Sequence, residues 1–104
     1  MVKVGRIGEL QREAVEGAMD VALWEQDPDL SVRWYESLAS VLGESGGMIT
    51  SDNARSAIDA LGSWSKRMDR RWRDAESRKE RDKIRRLQRE ARSLTEWLGS
   101  QLRH

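Results

Sequence analysis

The sequence predicts an all-α protein: a helical bundle or hairpin of two shorter N-terminal helices and a long, charged C-terminal helix, breakable at one place and carrying a coiled-coil-like seam. Three observations carry that expectation. Apolar residues recur at spacings of three and four, the signature of one helix face, along most of the chain. A single proline, Pro28, stands among 104 residues. No stretch reads as a strand of period two. The length suits one domain, residues 1–104.

The first helix is expected over about 7–26. At about 100° per residue, Ile7, Leu10, Ala14, Ala18, Val21 and Ala22 share one face. Glu9, Glu13, Glu16 and Asp20 recur close to the opposite side, which makes the segment amphipathic. Asp27-Pro28-Asp29 then starts a second helix over about 29–42. Asp27 can cap, Pro28 suits the first helical position, and Asp29 favours the positive end of the dipole. Its stripe is Leu30, Trp34, Tyr35, Leu38, Val41 and Leu42, and Gly43 is expected as a left-handed stop. A flexible loop follows, ending in the capping candidates Thr50, Ser51 and Asp52.

Two further helices are expected over about 52–75 and 78–102, either continuous or broken. Leu61, Trp64, Met68, Trp72 and Ala75 form one stripe. Ile84, Leu87, Ala91, Leu94 and Leu98 form a second, at coiled-coil spacing. On a straight helix the two stripes differ by roughly 120°, far more than heptad drift allows. The slip falls within residues 76–83, where Ser77-x-x-Glu80 fits a capping box. A straight helix from Ser63 to Leu102 would be about 60 Å long, against a radius of gyration near 13 Å for a compact chain of this size. Either the helix folds back near 76–80, or it projects and buries its seam against another chain. The second is the expectation, which makes Ile84, Leu87, Ala91, Leu94 and Leu98 the oligomerisation residues.

Net charge is +1, yet residues 1–65 hold five basic and eleven acidic side chains, whereas 66–92 hold thirteen basic and six acidic. Such a split hints at an interaction surface. Arg67, Arg71, Arg78, Arg81, Arg85, Arg89 and Arg92 fall within an arc of roughly 80° on a continuous helix. A row of this kind can follow a phosphate backbone, each contact releasing counterions. Trp72 could stack on a base, but the stripe it shares with Met68 and Ala75 favours a place in the core. Three helical pairs, Asp69–Arg73, Asp74–Arg78 and Asp82–Arg86, would instead make the same segment a self-supporting solvated face.

Other signals are weak. Gly43-x-Ser45-x-Gly47 matches a nucleophile elbow, but a helix precedes it and the sole histidine is terminal His104. The four acids of the first helix lack the Glu-x-x-His pair of helical carboxylate metal sites. A helix-turn-helix over 29–62 would need a turn of three or four residues, where this chain has nine. With no cysteine, disulfides and thiolate metal sites are excluded. No cofactor, metal or catalytic residue is expected. Neither a signal-like apolar start nor a run of about 20 apolar residues occurs, so a soluble, cytoplasmic protein without membrane contact is expected.

The function expected is non-catalytic. An oligomerising helical protein would contact a nucleic-acid backbone, DNA or RNA, through its Arg-rich helix, as accessory subunit of a nucleoprotein complex or small regulator. The alternative is a protein-only adaptor or scaffold that binds partner helices through its C-terminal seam and charge stripes.

Overall fold

The computed structural model describes residues 1–103. Four helices pack against one another: α1 (Glu9–Ala22), α2 (Pro28–Gly43), α3 (Ser51–Asp74) and α4 (Arg78–Leu102). Two strands of two residues each, β1 (Val2–Lys3) and β2 (Met48–Ile49), pair antiparallel with Val2 opposite Ile49 and Lys3 opposite Met48. The fold is an all-α bundle with that small sheet at one corner. No helix among the described residues is long and apolar enough to cross a membrane.

Each of α2, α3 and α4 begins where a side chain can satisfy its free N–H groups. The Asp27 carboxylate accepts from the backbone N–H of Asp29 at 3.0 Å and of Leu30 at 3.3 Å, with Pro28 in the first turn. Thr50 Oγ1 accepts from Asn53 N at 3.1 Å, and Ser77 Oγ from Glu80 N at 3.1 Å. Between α1 and α2 the chain tightens into short-range turns, and the Ser31 hydroxyl donates to the Ala22 carbonyl at 2.7 Å. That contact satisfies one of the last carbonyls of α1.

The long helix does not project. It breaks at Ala75-Glu76-Ser77, where Ala75 is extended (φ −66°, ψ 132°) and Ser77 caps α4. Helix α4 then returns along α3 and also packs on α1. The longest dimension is 42 Å and the radius of gyration 13.4 Å, the value of a compact chain. This corrects the expected projecting helix. Its physical reason is the roughly 120° offset between the two stripes: a fold-back lets both face one core, whereas a straight helix would leave one of them exposed. Arg81 reinforces the corner, its guanidinium donating to the Ala75 carbonyl from Nε at 3.1 Å and Nη2 at 2.9 Å. A cation on the last free carbonyls complements a helix C-terminus.

Ile84, Leu87, Ala91, Leu94 and Leu98 are buried in this chain's own core, none more than 8% exposed. There they join Val15, Ala18, Leu38, Val41, Leu61 and Trp64. The seam expected between chains is closed within one.

The N-terminal residues add a part the helical reading lacked. Val2 and Val4 are buried. Val4 N donates to the Gly47 carbonyl at 2.8 Å, Gly46 N to the Gly5 carbonyl at 3.3 Å, and Ile7 N to Ser45 Oγ at 2.9 Å. The loop expected to be flexible is thus laced to the N-terminus. Its left-handed glycine is Gly46 (φ +82°), not Gly43, which ends α2 in helical conformation.

Candidate functional site

Two grooves flank α3, one on either side, and seven of the thirteen basic residues of 66–92 line one or the other. The furrow between α3 and α4 is lined by Ser65, Asp69, Arg85, Gln88, Arg89 and Arg92. Asp69 is its hub. Its carboxylate accepts from Arg85 Nη1 at 2.8 Å and from Gln88 Nε2 at 2.9 Å, while Gln88 Nε2 also reaches the Ser65 carbonyl at 3.0 Å. The Gln88 amide, and after it the Arg85 guanidinium, holds the Asp69 carboxyl below its ordinary value. Arg85 lies over the Trp72 ring, 4.3 Å from its centre, close enough for cation–π attraction. These contacts engage Asp69, Gln88 and Arg85 with one another and leave Arg89 and Arg92 of the same furrow without an ion pair among the described residues.

The second groove runs between α1 and α3, with a volume of about 770 Å³. Lys66, Arg67, Arg70 and Arg71 come from α3, whereas Glu13, Asp20 and, just beyond the end of α1, Trp24 come from the other wall. The two helices approach closely because Gly17 has no side chain: a Cβ there would lie 2.9 Å from Trp64 Nε1. Glu13 is engaged by Lys83 Nζ of α4 at 3.0 Å. Trp24 stands 77% exposed.

The seven arginines expected in one row are therefore not in one row. Arg67 and Arg71 line the α1–α3 groove, and Arg85, Arg89 and Arg92 line the α3–α4 furrow. Arg81 caps α3, and Arg78 is an exposed residue whose Nε lies 4.0 Å from Asp82. The arc of roughly 80° assumed a continuous helix, and the break at Ala75–Ser77 removes that premise. None of the three expected helical ion pairs forms among the described residues: Asp69 pairs with Arg85 across the hairpin, and Asp82 with Arg78. Trp72 packs against the core and carries Arg85 on its face, so its ring is not free to stack. Sequence reasoning did not single out Trp24, whose place after the α1 stripe gave no sign that it would face a basic wall.

No group of three metal-ligating side chains occurs among the described residues, the acids of α1 included. Ser45 of the glycine-rich loop accepts a backbone hydrogen bond from Ile7, an architectural role. His104 lies outside the described residues. No family model matches the chain, and neither a curated protein nor a solved structure shows similarity to it.

Proposed function

We infer that this protein binds a nucleic-acid backbone through the α3–α4 hairpin, without catalysis, as an accessory or regulatory helical module. One observation carries the reading: the thirteen basic side chains of residues 66–92 gather on one hairpin. Among them only Arg78, Lys83 and Arg85 hold ion pairs with described residues. Lys66, Arg67, Arg70, Arg71 and Arg73 of α3, with Lys79, Arg86, Arg89 and Arg92 of α4, are thus open to an external anion. Dense cationic surface of this kind attracts phosphate backbones, with affinity set by counterion release. The alternative of a protein-only adaptor drew on the C-terminal seam and on the charge stripes; the five seam residues face this chain's own core, so that reading now rests on the stripes alone.

The test is affinity for generic duplex and single-stranded DNA and RNA across a salt series. Four or five phosphate contacts give a slope of log K against log salt of about −3 to −4.5, at about −0.9 per duplex contact and −0.7 per single-strand contact. Replacing Arg67, Arg70 and Arg71 with Gln, or separately Arg86, Arg89 and Arg92, keeps good helix formers in place. Each triple should flatten the slope by about one to three units, with little dependence on base sequence. Absence of binding to every nucleic acid at low salt, or a slope that neither triple changes, refutes the reading.

A further inference from the structure

We propose that the α1–α3 groove receives a single-stranded nucleic acid, one base stacking on Trp24 while the adjoining phosphates meet the cations of α3. This rests on the backbone-binding reading and names the form of nucleic acid preferred. The five tryptophans have different fates. Trp64 is core, and Trp34 and Trp72 pack against the core. Trp97 donates from Nε1 to the Lys3 carbonyl at 3.0 Å, which pins β1 to α4. Trp24 is 77% exposed, lies outside the core cluster and makes no hydrogen bond through its indole among the described residues. It nevertheless lines the groove that Lys66, Arg67, Arg70 and Arg71 enter from the other side.

The two walls differ in chemistry. That of α3 brings four cations, matched to phosphate. The facing wall brings the Trp24 ring with Asp20 and with Glu13, the latter engaged by Lys83; the Asp20 carboxylate repels phosphate and favours its place on the α3 side. Asp74, at the end of α3, adds a third acid. A chain with a flat uncharged face on one side and an anion on the other fits this division, and an unpaired nucleotide is such a ligand. Stacking on an exposed aromatic beside a cationic track is how single strands are held without sequence preference. A duplex keeps its bases stacked on one another and offers Trp24 no face. An acidic peptide without aromatic residues would satisfy the cations but offers no π-face for the ring.

The experiment compares the intact protein with Trp24→Ala and Trp24→Phe, using single-stranded DNA and RNA of one sequence, the matching duplex, and poly-glutamate. Trp24→Ala should weaken single-strand binding about tenfold, leave duplex affinity within about twofold, and leave the salt slope unchanged. Trp24→Phe should recover most of the loss, because a flat aromatic face is retained. Equal losses on DNA and RNA are expected, since either base offers the same face. If the intact protein binds nucleic acid but Trp24→Ala leaves single-strand affinity untouched, this proposal fails while the backbone reading stands. If no nucleic acid binds at all, both fail. Should poly-glutamate bind as tightly as the single strand and be equally weakened by Trp24→Ala, the groove is a peptide-docking site and the proposal is overturned.

Discussion

Gly17→Ala should destabilise the protein relative to its matched control, Gly62→Ala, and the size of the gap follows from the packing of α1 on α3. A Cβ at Gly17 would meet Trp64 Nε1 at 2.9 Å, with Cε2 at 3.6 Å and Cδ1 at 3.8 Å. The ring cannot swing away cheaply, because Trp64 is only 3% exposed and belongs to the core. Forcing a methyl into such a contact costs about 1–3 kcal/mol. Against this, alanine within a helix is favoured over glycine by about 1 kcal/mol. The net change at Gly17 is a loss of about 0–2 kcal/mol. Gly62 lies within α3, where an added methyl would meet nothing within 4 Å, so there the helical preference acts alone, a gain of about 0.5–1 kcal/mol. The propensity term is common to both, leaving a difference between the variants of about 1–3 kcal/mol. At roughly 0.2 kcal/mol per degree for a chain of this size, the melting temperatures should differ by about 5–14 °C. Far-ultraviolet circular dichroism during thermal and urea unfolding measures it. If both variants gain stability equally, the close approach of α1 to α3 does not constrain Gly17 and the reasoning is wrong.

Three further outcomes are expected. Leu98→Ala, at a fully buried position, should cost about 2–5 kcal/mol, and the unfolding midpoint of the unmutated chain should be independent of protein concentration; a midpoint that rises with concentration would show that the folded chain associates. Ser77→Ala removes the hydroxyl that accepts from Glu80 N and should cost about 0.5–2 kcal/mol in urea unfolding, whereas an unchanged midpoint would show that the corner does not depend on its cap. Asp69→Asn tests the hub of the furrow: since Gln88 and Arg85 hold this carboxyl below its ordinary value, its contribution is present above about pH 4 and lost as pH falls through the lower folded value. The variant should therefore melt below the parent at neutral pH and converge with it in strong acid, and a gap that persists at the lowest pH would assign the effect to packing instead.

The four helices were legible because their signals are local. Asp27 and Pro28, Thr50, and Ser77 with Glu80 mark starts within a turn of the residues they cap, and the structure places α2, α3 and α4 there. The first helix was read too long, over 7–26, since periodicity does not register that Ile7 N is held by Ser45, nor that the chain tightens after Ala22. Strand β1 is two residues long, too short for alternation to be recognised, and it exists only because Gly47, Met48 and Ile49 lie beside it and Trp97 clamps it.

By itself the sequence determined the fold class, the capping positions, the two inward-facing stripes and the concentration of positive charge in residues 66–92. Only the tertiary structure decided the direction in which α4 travels, and with it the fate of both candidate sites. The offset between stripes signals a break but carries no sign of whether the partner surface belongs to the same chain or to another. Packing settles that here: α1 and α3 together form a trough deep enough to bury Ile84, Leu87, Ala91, Leu94 and Leu98. The same fold-back takes arginines that are neighbours on a straight helix and sends them to opposite flanks of α3, while bringing Asp69 and Arg85, sixteen residues apart, into one hydrogen bond. Helical periodicity fixes which face a residue occupies on its own helix; what lies opposite that face depends on distant parts of the chain, and on that depends whether an arginine meets a carboxylate, a carbonyl or water.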